Sequence, residues 1–265
     1  MSRTSAASIV LALLAGCSHA APVGAPVPVT TPAVAQVAST AGLVDAMHAR
    51  YANKWYRTLT FIQKTSYLNP QTGAPMRSET WYEAMWLPGR LRIDQDLARG
   101  NGVLFVGDTT YAFNANKPQK PVADRNPLLL LGFDVYQQSP SRSLAMLRDA
   151  HVDVTKFHEG TFEGRRVYVA GALAGDTTST QAWFDAERLL FVRQLEKAPN
   201  GAMRDVRFGS YLPEGGGWLA TLVEVRVNGR LVFTEQYSDV KPNATLDSRL
   251  FDPAHWSTAP HWAKP

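Results

Sequence analysis

From Trp55 to Val240 most of the chain alternates apolar and polar side chains with a period of two, in short runs separated by turn signals. That pattern restricts the fold, because strands joined by such short turns pair antiparallel, whereas a parallel pair needs a crossover of about a dozen residues or more. Asn228-Gly229, between Trp218–Val227 and Arg230–Val240, is the strongest hairpin signal, since both turn positions require positive φ. Gly107-Asp108 plays the same part between Val103–Val106 and Thr109–Phe113. Asn69 to Gly73 and Leu87-Pro88-Gly89 are turn clusters that bound Tyr56–Tyr67, Ser78–Trp86 and Arg90–Asp94. Later runs are Val152–Phe157, Gly164–Ala172, Thr180–Asp185, Leu189–Lys197 and Arg204–Tyr211. The sequence therefore predicts an α+β chain, mainly antiparallel β, of about ten or eleven strands. Helical spacing is confined to Gly42–Asn53, where Leu43, Met47 and Tyr51 recur every fourth residue, and to Asn126–Ala150, read as two short helices parted at Ser139-Pro140.

In Trp81-Tyr82-Glu83-Ala84-Met85-Trp86 both alternating sets are partly apolar, unlike a sheet with one wet face. Something apolar lies against each face, or one face keeps an apolar groove. The ligand-lining candidates are Trp55, Leu59, Phe61, Trp81, Met85, Leu91, Ile93, Phe105 and Tyr111, with Leu128 to Leu131 as part of a helical lid. The same residues also read as an ordinary filled core, and a slip of one position exchanges the faces.

Residues 1–16 have the layout of a secretory signal: Arg3, then the apolar stretch Ile9 to Leu14, then small residues. The stretch is too short to span a bilayer, which takes roughly twenty apolar residues. Leu14-Ala15-Gly16-Cys17 resembles the bacterial lipobox, which implies cleavage before Cys17 and lipidation of its sulfur, with palmitate-type acyl chains as the anchor. Ser18 is not the aspartate that holds enterobacterial lipoproteins in the inner membrane, so that resemblance implies the periplasmic face of the outer membrane. Residues 17–41 are rich in Pro, Ala, Val and Thr, a tether that reaches on the order of 70 Å if extended. Cys17 is the one cysteine, so no internal disulfide forms and the fold holds by its core. Lys and Arg number 27 against 23 Asp and Glu; loss of residues 1–16 removes Arg3 and leaves a formal +3. With no basic run, the sequence argues against nucleic-acid binding.

The order of elements, an amphipathic helix, a meander, central helices and a second meander, is similar to the LolA/LolB group, which includes the N-terminal domain of RseB-type regulators. The matching stretches are Met85 to Asp94, Val106 to Phe113, Trp183 to Arg193 and Gly217 to Phe251, and the resemblance spans residues 42–251. It implies a half-open, curved β-barrel closed on one side by helices, an apolar cavity for acyl chains, and no enzymatic activity. It also implies a lipid or an acylated protein as partner, with an envelope transporter as a further candidate, in lipid or lipoprotein trafficking. The alternative it leaves open is an RseB-like envelope-stress sensor. The tether and residues 252–265 are additions to the family pattern.

No catalytic constellation is present. Phe208 to Leu212 is not a G-x-S-x-G elbow, and Gly215-Gly216-Gly217 reads as a hairpin loop. His255, His261 and Asp252 are too few for a zinc site and read better as a tail packed by Trp256 and Trp262. Asp94 and Asp96 read as an acid–base pair or as carboxylates solvated among Arg90, Arg92 and Arg99. Arg90 and Arg92 read as a clamp for an anionic headgroup or as a solvated face. No metal and no cofactor is expected.

Overall fold

The structure, a computed structural model, describes residues 37–263. Cys17, the signal and most of the tether lie outside the described residues. Thirteen strands form one antiparallel sheet: β1 (Thr58–Leu68), β2 (Pro75–Trp86), β3 (Arg90–Asp96), β4 (Asn101–Val106), β5 (Thr109–Asn114), β6 (Lys117–Pro118), β7 (Phe157–Phe162), β8 (Arg165–Ala170), β9 (Gln181–Asp185), β10 (Phe191–Lys197), β11 (Met203–Glu214), β12 (Gly217–Val227) and β13 (Arg230–Pro242). Their order is β6-β5-β4-β3-β2-β1-β13-β12-β11-β10-β9-β8-β7, so each meander runs in sequence order and the two join where β1 pairs with β13. The edges β6 and β7 are not paired with each other, which leaves a half-open curved barrel as the resemblance implies. Asn228 and Gly229 take φ values of 50° and 79°, as the hairpin signal requires.

The strands depart from the expected ten or eleven in two places. β6 is a two-residue edge strand with too little alternation to read. The strand expected at Val152–Phe157 is displaced to β7, because Asp153 caps a turn by accepting from the Thr155 N–H and hydroxyl, while Lys156 N–H closes onto the Asp153 carbonyl. Glu163 and Gly164, at φ 49° and 77°, then turn the chain into β8.

The first helix, α1 (Thr40–Tyr51), starts two residues earlier than its apolar spacing suggests because Ser39 caps it, accepting from the Gly42 N–H at 3.0 Å. α2 (Pro127–Gly132) and α3 (Pro140–Asp149) each carry proline at the first helical position behind a capping side chain, Asn126 and Ser139. A 3₁₀ turn, Asp134–Tyr136, joins them. Leu43, Val44, Met47 and Tyr51 of α1, Leu129 to Leu131 of α2 and Met146 and Leu147 of α3 pack with sheet residues into the main hydrophobic core. The face of the sheet that meets them is the inner face. Among the described residues no helix is long and apolar enough to cross a membrane.

A second, smaller core lies on the outer face of β2 to β5. Ala84, Leu104 and Phe113 of the sheet pack under Leu250, Phe251 and Trp256, in a segment of 3₁₀ turns at Ser248–Phe251 and Pro253–His255. The Trp256 ring lies parallel to Phe113, centroids 4.2 Å apart. This C-terminal strap is the cover that the two-sided apolar pattern of Trp81 to Trp86 called for on the outer side.

Candidate functional site

Register assigns the candidate residues to faces. Leu59 pairs with Met85 and Met85 with Leu91, which in turn pairs with Phe105, so all four share the inner face, and Phe61 and Ile93 join them through Glu83. Leu59, Phe61, Met85 and Leu91 are buried in the main core, with Ile93, Phe105 and Leu128 half-buried against it and Leu131 buried in α2. Trp55 stacks on Tyr136 with centroids 4.0 Å apart, which binds the α1–β1 connection to the helical cover. At this end of the barrel the apolar floor is thus filled by the protein's own helices.

Trp81 is inner as well, yet it lies beyond the helix-covered cluster. Its ring is 6.4 Å from Phe233, which meets Tyr67 at 5.2 Å. Phe233, Val225 and Tyr67 are only half-buried, so an aromatic strip continues along the inner face past the helices.

Tyr111, Arg90 and Arg92 do not join this set. Tyr111 pairs with Leu104 and belongs to the outer core. Arg90 is exposed beside the Trp86 ring. Arg92 is buried: its guanidinium grips both Asp94 oxygens at 2.8 and 2.9 Å, donates to the Trp256 carbonyl at 3.0 Å and lies 3.9 Å from the Trp256 ring centroid. His261 approaches Asp94 from the strap at 2.9 Å. Burial pushes the Asp94 carboxyl up, but the His261 and Arg92 hydrogen bonds and the Arg92 charge outweigh it and hold Asp94 below the usual carboxylate range. Both readings of Arg92 from sequence, headgroup clamp and solvated arginine, are therefore corrected: Arg92 alternates with the inner Leu91 and Ile93, so it faces outward, where Asp94 pairs its charge and the strap covers it. Asp96 does not pair with Asp94, because the register slips between them and Asp96 turns to Arg99.

The inner face carries a polar group that the sequence reading passed over. Gln63, Thr65, Glu83, Glu235 and Tyr237 lie on β2, β1 and β13, side by side in register. Gln63 Nε2 donates to Thr65 Oγ1 at 2.8 Å, and the Tyr237 hydroxyl donates to Glu235 at 2.5 Å while its ring packs on Phe61 at 4.4 Å. Burial, and then the charge of Glu235, push Glu83 well above the usual range. Burial also raises Glu235, against hydrogen bonds from Tyr237 and Gln63 and the attraction of Arg204. The signal was available: Glu83 alternates with Trp81 and Met85, so it shares their face.

Asp134, in the turn between α2 and α3, accepts from the Gly89 N–H of the β2–β3 turn at 2.9 Å. Burial pushes its carboxyl up to about 7, against that hydrogen bond and the charges of Arg142 and Arg125.

Two clefts border these regions. One of about 430 Å³ lies between α3 and the inner residues Gln194 and Glu196 of β10, with Asp108, Asp124 and Asp149 at its rim and Arg125 among them. A larger one, about 1470 Å³, runs over the sheet beside the strap, with Tyr82, His261 and Trp262 in its wall. Neither is lined by Leu59, Phe61, Met85 or Leu91. Among the described residues no group of three His, Cys, Asp or Glu is placed to hold a metal ion. His255 instead pairs with Asp252 at 2.8 Å, and His261 with Asp94.

No protein-family model matches the sequence, and no curated protein matches it. Among solved structures, a putative outer membrane lipoprotein-sorting protein domain from Vibrio parahaemolyticus aligns with a TM-score of 0.53 at 13% identity, over 82% of this chain and 97% of that one. The fold is LolA-like. A LolA superfamily protein from Nitrosomonas europaea aligns at 0.49 and 11% identity, over 81% of this chain and 97% of that one. A DUF1329 family protein from Desulfovibrio piger aligns at 0.48 and 12%, over 82% and 97%. In the LolA-like half-barrel described here, the helices cover one end of the inner face, and the aromatic strip with its carboxyls occupies the other.

Proposed function

We infer that the chain binds the acyl chains of a lipid or lipoprotein on the inner face of its half-barrel, as a carrier or acceptor held to the outer membrane through Cys17. The observation that carries this reading is the strip of half-buried Tyr67, Val225 and Phe233 beside the buried Trp81, inner-facing and continuous with the helix-covered floor of Leu59, Phe61 and Met85. An alkyl chain gains about 0.8 kcal/mol for each methylene it takes fully out of water, which is the driving force for binding there. Deeper entry requires α1 to α3 to part from the sheet. Their polar attachments are Arg50 to the Glu187 carbonyl, Thr40 hydroxyl to the Lys156 carbonyl, Tyr51 hydroxyl to the Arg188 carbonyl, Phe191 N–H to the Tyr136 hydroxyl, Gln137 to the Tyr56 carbonyl and Gly89 N–H to Asp134. The strip is a binding surface, and no step of chemistry is assigned to it.

Protein extracted from bacterial membranes and examined by mass spectrometry is expected to carry bound lipid, and a fluorescent fatty-acyl probe is expected to bind it. Absence of both results overturns the reading. Cys17→Ala is expected to move the protein from the membrane fraction to the soluble periplasm; retention in the membrane shows that the anchor is something else.

A further inference from the structure

One long strand is paired on both sides over only part of its length. β2 runs beside β1 from Thr58↔Trp86 to Leu68↔Pro75, but β3 meets it only from Tyr82 to Trp86. Among the described residues no strand pairs with Met76–Trp81 on the side away from β1. Alternation says which backbone groups are left over. The Leu87 N–H donates to the Arg57 carbonyl, so odd-numbered residues of β2 turn their N–H and C=O toward β1 and even-numbered ones turn theirs away. Ser78 and Thr80 therefore present backbone donors and acceptors along an exposed edge, which the large cleft borders at Thr80. Met76, at the bulge where this edge begins, is 69% exposed. Arg77 and Glu79, one of each sign, stand on the inner side of the same edge. The Arg77 guanidinium lies over the Tyr67 ring at 4.2 Å and pairs with Glu79 at 3.2 Å, and Glu79 accepts from the Trp81 indole at 3.0 Å.

We propose that this edge pairs with the same edge of a second copy of the chain, antiparallel about a twofold axis at Ser78, so that two half-barrels share one sheet. Three registers set the outward-turned residues opposite one another. With Arg77 opposite Arg77 of the second copy, or Glu79 opposite its Glu79, like charges meet directly, which destabilises the pairing. With Ser78 opposite Ser78, Arg77 meets Glu79 of the second copy and Glu79 meets its Arg77. Those two pairs fall at the narrow, non-hydrogen-bonded positions, where side chains approach most closely. The edge is thus its own complement, which a twofold contact requires. Met76 then lies beside Thr80 of the second copy and loses part of its exposure. A ladder of about five residues is small for a stable dimer, so association is weak in solution and is favoured where the lipid anchor proposed above confines the copies to one surface. The pairing is independent of what the inner face binds. Its consequence there is that Tyr67 and Trp81 of both copies line one continuous wall, since residues directly opposite in a sheet share a face.

Ser78→Cys tests the contact in membranes, because residues opposed at a hydrogen-bonded pair have Cα atoms about 5.5 Å apart, within disulfide reach. Membranes carrying Ser78→Cys and treated with copper phenanthroline are expected to give a disulfide dimer. The native chain, with Cys17 alone, and Thr72→Cys at the hairpin tip are expected to stay monomeric. Arg77→Glu or Glu79→Arg, added to Ser78→Cys, replaces two attractions with two repulsions and is expected to cut the dimer yield about tenfold. Co-expression of the two charge variants is expected to restore it. Ser78→Pro removes an N–H that β1 does not use. In the full chain carrying Cys17→Ala it is expected to keep the circular dichroism of the native fold and to lose the dimer that sedimentation detects at high concentration. A Ser78→Cys thiol that stays monomeric and alkylates freely overturns the proposal. A thiol shielded from alkylation without a dimer assigns the edge to a different chain and overturns it too. Equal cross-linking of Thr72→Cys, or indifference to the charge variants, reduces the contact to random collision and has the same effect.

Discussion

On the outer face a buried carboxylate, Asp94, is fully matched by Arg92 and His261, whereas on the inner face the buried carboxyls of Glu83, Glu235 and Asp134 are matched in part or not at all. The two covers differ accordingly. The strap is held to its face by the Trp256 ring on Phe113 and Arg92, by its carbonyls accepting from Arg92 and by His261 on Asp94, while the helices rest on theirs through apolar contact and a few hydrogen bonds. A satisfied buried charge makes a cover permanent, because its removal strands the partner in a medium that solvates it badly. Of these inner carboxyls Asp134 is the one that belongs to the helical cover, where it accepts from the Gly89 N–H of the sheet. The pH dependences have opposite sign. Asp94, lowered in the folded state, contributes stability present above its unfolded pKa near 3.8 and lost as pH falls through its lower folded value. Asp134, raised, gives stability present below about 4 and lost as pH rises toward about 7.

The sharpest way to break the comparison is Asp94→Ala, which leaves Arg92 buried and uncompensated. It is expected to cost about 3–5 kcal/mol in urea unfolding and to loosen the strap, seen as faster hydrogen exchange at Trp256. Next in size is Asp134→Asn, which keeps an acceptor for the Gly89 N–H and removes the titration. Between pH about 4 and about 7 the native chain should lose stability at up to ~1.4 kcal/mol per pH unit from this group, and the variant should lack that slope. An unchanged slope shows that Asp134 does not govern the inner cover. Gly132→Ala places a Cβ 2.9 Å from the Phe208 ring, where α2 meets the sheet. The ring has room to shift in a cover held by apolar contact, so about 1–2 kcal/mol is expected, measured by thermal unfolding. The smallest effect is His261→Ala, about 1 kcal/mol, since Arg92 still holds Asp94. A loss as large as that of Asp94→Ala shows that His261, and not Arg92, is the latch.

The antiparallel class, the two meanders and the hairpin at Asn228-Gly229 were legible because period-two alternation and positive-φ turn residues are local properties of the backbone. So were the helices, through apolar spacing and the break at Ser139-Pro140, although the Ser39 cap that starts α1 two residues before Gly42 was passed over. Trp81 to Trp86 showed that both faces are partly apolar, which left cover on each face or a groove on one as the alternatives. The sequence did not say by what: Leu250, Phe251 and Trp256 lie far along the chain from Ala84 and Phe113, and no local pattern encodes that meeting. Nor did it assign Arg92 and Tyr111 to the outer face, because alternation separates two sets of side chains without naming which is inside. Register across β2 to β5, fixed only when every strand is paired and both covers are docked, put Arg92 under the strap and Glu83 inside the half-barrel. The sequence determined the strands and their connections; burial on two opposed faces, a property of the whole assembly, decided which polar groups meet and which face each one occupies.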